Sequence, residues 1–147
     1  MDTKAIQEYV NRECDENAIP SLFDFVAIPN QSPLFDPEWN TNGQLDRACQ
    51  HCMDWATAQN LKGFTMEKVQ DEGKPPLIFI EIASTKPAGE EQTVFMYGHF
   101  DKQPPLLPWD EGIGPYSPVI KDDKLFGRGS VDDGYSIYAA LTAIKTL

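Results

Sequence analysis

A short apolar run, Val94-Phe95-Met96-Tyr97, opens directly into Gly98-His99-Phe100-Asp101, and downstream the chain reads Gly127-Arg128-Gly129-Ser130-Val131-Asp132-Asp133-Gly134. The two stretches restrict the chain to folds in which a buried strand and a glycine-rich turn bring polar side chains together. β-Branched and aromatic residues make the first run a strand candidate. A strand ending in Gly-His-x-Asp sets an imidazole and a carboxylate on one side, because residues two apart in an extended chain share a face. Neutral imidazole is a good zinc ligand. A carboxylate two residues on can ligate as well, or hold the ring's second nitrogen and fix the tautomer. The second stretch adds another carboxylate, Asp132, where a turn runs into a helix.

This pair of motifs, in this order, resembles the di-zinc metallopeptidases of the aminoacylase, carnosine dipeptidase and glutamate carboxypeptidase family. The resemblance runs from about residue 64 to the end of the sequence and is weaker before that. It implies that His99 is a terminal metal ligand and that Asp132 bridges two metal ions. It assigns Asp101 a catalytic role, orienting the site from behind His99, and places Asp133 after a cis peptide bond. The implied cofactors are two zinc ions, with manganese or cobalt as alternatives. The implied substrates are dipeptides or N-acyl amino acids, whose amide is hydrolysed by a metal-bound water while a glutamate shuttles the proton to the leaving amine. Members of the carnosine type usually carry an aliphatic residue where Lys102 stands, and a lysine where Gly134 stands, which argues against carnosine as the substrate. A solvated surface position is the expectation for Lys102.

The family pattern continues with a Glu-Glu pair, an acidic ligand and a late histidine, none of which is matched here. The expectation is therefore that residues 1–147 are the N-terminal portion of one catalytic domain, inactive alone. The fold class expected is α/β, an incomplete three-layer sheet with flanking helices. The full-length parent would add the rest of the sheet and a lid domain through which it forms a homodimer. The alternative is a truncated, non-catalytic paralogue acting as a binding module.

The formal net charge of −11 argues against nucleic-acid partners, whose binding rests on Lys and Arg neutralising phosphates. No apolar stretch approaches the roughly 20 residues that span a bilayer, and the first residues lack a secretory signal layout, so the expected compartment is the cytoplasm with no membrane partner. Three cysteines, Cys14, Cys49 and Cys52, make an odd set without a disulfide framework. Cys49-Gln50-His51-Cys52 has zinc-like spacing, but Leu45, Ala48, Cys49, Cys52 and Ala56 recur as the stripe of an amphipathic helix. Packing is the reading preferred for those thiols and for His51.

Helices are expected over 3–17, with Ile6, Tyr9, Val10 and Cys14 on adjacent turns, and over 21–28 beyond Pro20. Another follows a cap at Thr41 or Asn42 and runs to Gln59. The connector between them should plug Phe35 and Trp39 into the core. Strands are expected over 64–69, 77–83 and 93–97, the last two as buried neighbours, with a polar turn over 84–92. Residues 106–118 should form an ordered covering loop around Trp109 and Tyr116, and 119–126 a small hairpin. From Asp132 onward the pattern is helical, with Tyr135, Tyr138, Leu141 and Ile144 on a face left partly uncovered. Asp132 or Asp133 would sit near the N-cap, where the helix dipole favours an ionised carboxylate.

Overall fold

The computed structural model describes residues 2–87, 89–90 and 92–147. Helix α1 (Thr3–Glu13) is capped by the Asp2 carboxylate, whose Oδ1 accepts from Lys4 N at 2.9 Å. It passes through a π-helical turn (Cys14–Ala18) into α2 (Ile19–Val26), with Pro20 at the start of α2. Proline has no N–H to give, and the widened turn before it absorbs the missing bond, so the two expected helices form one continuous rod. The stripe on α1 is only half-buried; the dense packing begins at Ala18, Leu22, Phe25 and Val26.

Helix α3 (Gln44–Ala58) starts behind Gly43, which takes φ 72° so that the chain can turn in, while the Asn42 side chain accepts from Gln44 N. Its stripe is buried as the periodicity requires: Ala48 and Cys49 are fully enclosed, with Cys52, Trp55 and Ala56 beside them. All three thiols are free. Burial pushes Cys52 up to about 12, so it is an inert core residue. The connector departs from expectation, since Phe35 is exposed and Trp39 only half-buried. Hydrogen bonds of Phe35 N and Asp36 N to Ser32 O wind it into surface turns, leaving Phe35 nothing to pack into.

Strands β1 (Phe64–Val69) and β2 (Leu77–Ile82) pair antiparallel with Phe64 opposite Ile82. Ile78, Ile80 and Ile82 face the helices and Leu77 and Phe79 face outward, the period-2 alternation of a sheet with one covered face. Strands β3 (Val119–Lys121) and β4 (Lys124–Phe126) form the expected hairpin, turned by Asp122 and Asp123, both at positive φ. Helix α4 (Ser136–Thr146) closes the core, stacking Tyr138 on Trp55 at 4.5 Å between ring centres. Its Lys145 reaches Glu13 Oε2 at 2.7 Å, and that ammonium holds the Glu13 carboxyl below its ordinary range. The face expected to stay uncovered is thus largely filled, with Tyr138 and Leu141 buried and Tyr135 left out.

The fold is mixed helix and sheet, as expected, but residues 93–97 form no strand. The run is extended, and Val94, Phe95 and Tyr97 are each more than three-quarters exposed. A strand exists only where a neighbour accepts its backbone bonds, and among the described residues no strand pairs with this run. The polar turn expected over 84–92 includes residues 88 and 91, which lie outside the described residues. No described helix is long and apolar enough to cross a membrane.

Candidate functional site

The segment after the exposed run is anchored at once. Lys102 N donates to Asn30 O and Ser32 N to Lys102 O, both at 2.9 Å, a short parallel bridge against the chain leaving α2. The buried Asn30 side chain adds a bond from Nδ2 to Phe100 O at 2.6 Å. His99 is thereby presented at the rim, one-third exposed.

The second segment is shaped by its glycines. Gly134 N donates to Gly129 O at 3.0 Å, and a Cβ at Gly134 would collide with that carbonyl and with the Phe25 ring. This tight turn sits where a helix was expected to begin. Helix α4 starts only at Ser136 and has no side-chain cap, so Asp132 lies ahead of the helix and is not its N-cap. The Asp132–Asp133 peptide bond is cis, as is Leu107–Pro108.

The two segments meet at His99. Its Nε2 lies 3.3 Å from Asp132 Oδ1, and its Nδ1 lies 3.2 Å from Asp101 Oδ1 and 3.0 Å from Asp101 O. The residues singled out in the sequence, His99, Asp101 and Asp132, are thus brought into one constellation. Asp133, not foreseen as a contact, accepts the His99 backbone N–H on Oδ2 at 3.1 Å. Gly98 permits this closeness, because a Cβ there would overlap Ser136.

The donors fit a metal ion in kind and direction. With Nδ1 occupied by Asp101, Nε2 is the nitrogen free to ligate, and it faces the Asp132 carboxylate. They fit as part of a site: among the described residues no group of three or more His, Cys, Asp or Glu side chains is placed to hold a metal ion by itself. His99 and Asp101 open onto a cavity of about 260 Å³ that is also lined by Ser32, Leu34, Phe35, Tyr97, Lys102 and Gln103. A larger one of about 450 Å³, between Trp39, Leu45 and Gln70, shares none of these residues.

Lys102 overturns the expectation of a solvated surface lysine. It is 1% exposed, and its ammonium donates to Phe25 O at 2.7 Å, Val26 O at 3.2 Å and Ile28 O at 2.5 Å. It also lies 4.2 Å above the Phe25 ring. Of these carbonyls Phe25 O and Ile28 O also accept the Ile28 and Asn30 backbone N–H groups, and the lysine head adds its donors from a stem threaded past Gly129. No local pattern around Lys102 announces this. His51 has the packing role expected of it, with Nε2 within 3.2 Å of Ser21 and Tyr138 oxygens.

The chain is similar in sequence and fold to known proteins. Residues 95–147 match Peptidase family M20/M25/M40. An uncharacterized metallohydrolase of Methanocaldococcus jannaschii is 27% identical over 90% of this chain and 32% of its own length. Human Beta-Ala-His dipeptidase is 38% identical over 48% of this chain and 13% of its own. The crystal structure of human carnosine dipeptidase 1 matches with a TM-score of 0.70 and 28% identity, over 97% of this chain and 30% of that one. The yeast di-peptidase Dug1p shares the fold, with a TM-score of 0.74 at 19% identity. The resemblance read from the motifs is borne out, and the chain carries the fold of an M20-type peptidase domain in part. It spans a third or less of the length of these relatives.

Proposed function

We propose that residues 1–147 are the N-terminal portion of the catalytic domain of a zinc-dependent hydrolase that cleaves the amide bond of a dipeptide or N-acyl amino acid. The observation that carries this is the His99 imidazole held between Asp101 and Asp132, with its Nε2 edge turned to the second carboxylate. The names of similar proteins, dipeptidases and a metallohydrolase, support the coarser part of this reading, peptide hydrolysis by a metal-using enzyme.

In this reading His99 Nε2 and Asp132 would hold the metal, with Asp132 the carboxylate available to a pair of ions. Asp101 accepts from Nδ1–H, keeping the ring in the tautomer that leaves Nε2 a lone pair. Asp133 fixes the His99 backbone to the turn that carries Asp132, so the two donors keep their spacing. The ions, when bound, would lower the pKa of a water and polarise the scissile carbonyl. The remaining donors and the general base come from outside these residues, in a full-length homodimeric protein.

The full-length protein, purified and dialysed, tests this by metal analysis together with turnover of a dipeptide and N-acyl amino acid panel. About two zinc ions per chain and chelator-sensitive hydrolysis are expected. A folded protein that binds no divalent metal would instead leave the non-catalytic binding module.

A further inference from the structure

Lys102 contacts three separate parts of the molecule. Its head takes the carbonyls of Phe25, Val26 and Ile28 at the end of α2. Its backbone is bridged to Asn30 and Ser32. Its stem fills the space left by the missing side chain of Gly129, where a Cβ would stand 2.6 Å from Lys102 Cε. Gly129 in turn accepts from Gly134 N, closing the turn that contains Asp132 and Asp133. One buried side chain therefore lies against both the segment that presents His99 and the turn that presents Asp132.

We propose that Lys102 is a positioning residue that sets the Asp132 turn against the His99 segment, with Gly129 as the notch that receives it. The proposal rests on the reading of His99 and Asp132 as metal donors. The physical case is that the lysine head brings its N–H donors on a long stem to three carbonyls gathered at a helix end, two of which also accept a backbone N–H. An aliphatic residue could fill the volume but would strip one bond from each of the Phe25 and Ile28 carbonyls, which keep Ile28 N and Asn30 N, and would leave the Val26 carbonyl without its lysine donor, so the end of α2 and all that leans on it would shift. The contact that senses such a shift is the bond from His99 N to Asp133 Oδ2, because it joins the two segments directly.

Lys102→Met and Lys102→Arg in the full-length protein test this, after a thermal melt has shown which variants fold. Two quantities are read: zinc affinity by chelator competition, and hydrogen exchange of the His99 amide in the metal-free protein. In folded Lys102→Met, zinc affinity should fall by about 10–100-fold, as with other supports behind a ligand, and His99 exchange should quicken at least tenfold. Lys102→Arg keeps charge and donors in a different, planar geometry and should fall between the two proteins. If wild-type protein binds no zinc, the metal reading fails, and the His99 exchange rate alone decides whether Lys102 holds the segments together. Folded Lys102→Met with either quantity within threefold of wild type overturns the proposal. If only Lys102→Arg folds, the same criterion applies to it. If neither folds, Lys102 is a residue of general stability and the proposal is likewise overturned.

Discussion

His99 is held by two carboxylates, and the ring nitrogen each one meets decides what it does. Asp101 meets Nδ1 with both its side chain and its carbonyl, so that nitrogen is the donor, whereas Asp132 meets Nε2. Under the proposed function, His99→Ala and Asp132→Ala should each abolish hydrolysis and strip metal from the full-length protein. Asp101→Asn should keep the metal but weaken it or the turnover by about 10–100-fold, since it stands behind the ligand. Metal analysis of the three purified variants checks this; complete zinc loss in Asp101→Asn would make Asp101 a ligand itself. A second prediction concerns Lys102, which burial pushes down from 10.5 to about 7. Between those values the unfolded chain binds a proton that the folded chain does not, so stability rises with pH across the window and is lowest below it. The charged and titratable neighbours are Cys52, held protonated by its own burial, and Tyr116, whose burial raises its phenol. Unfolded cysteines ionise near pH 8.5, so the clean range is about pH 7 to 8. Over that range wild type should gain stability on Lys102→Met by up to about 1.4 kcal/mol per pH unit, read from urea unfolding. A flat difference would mean that the lysine stays charged throughout.

At the scale of elements, what could be read from the sequence divides by how local its cause is. Helix α3 and the β3–β4 hairpin were legible because a 3.6-residue stripe and an Asp-Asp turn act within a few residues. The run 93–97 has the composition of a buried strand, yet a strand is made by its neighbours, and none of the described residues pairs with it. Lys102 was illegible for a related reason: the carbonyls that bury it lie 74 to 77 positions earlier in the chain. The start of α4 was misplaced because glycines 129 and 134 close on each other, a contact that helical periodicity does not encode. The unpaired run has a consequence of its own. Exposed Val94, Phe95 and Tyr97, with Leu77 and Phe79 on the outer face of β2, offer apolar surface and free backbone groups to other copies. The 147-residue chain is expected to self-associate in a concentration-dependent way. Val94→Lys with Phe95→Lys should return it toward monomer in sedimentation velocity without lowering its melting temperature, since neither side chain is packed. Unchanged association in that double variant would place the sticky surface elsewhere.

At the scale of the whole molecule, the two motifs announced which side chains would converge, and they do converge, because each is fixed by its own glycines and by the same end of α2. The motifs could not announce how much of a working site the chain holds. A hydrolytic zinc ion wants about four donors including its water, and a pair of ions roughly doubles the demand. Here one imidazole and one carboxylate face each other, a second carboxylate is engaged on the far nitrogen, and among the described residues no group of three or more is placed to hold a metal ion. The other histidine, His51, is locked by Ser21 and Tyr138 in the helical core, and Cys52 beside it is a buried thiol that resists ionisation. Neither can swing out to complete a site without dismantling the packing of Phe25, Trp55 and Tyr138. A general base is wanting too, since Asp101 is spent on His99 and Asp133 on the His99 amide. The 147-residue chain by itself is therefore expected to bind zinc no more tightly than a two-donor site allows and to hydrolyse no dipeptide. Calorimetric zinc titration, together with an assay against a dipeptide panel in zinc or manganese, checks this. Chelator-sensitive turnover by the purified chain would mean that the core cluster around His51 opens in solution, and His51→Ala would then abolish that turnover while His99→Ala would not.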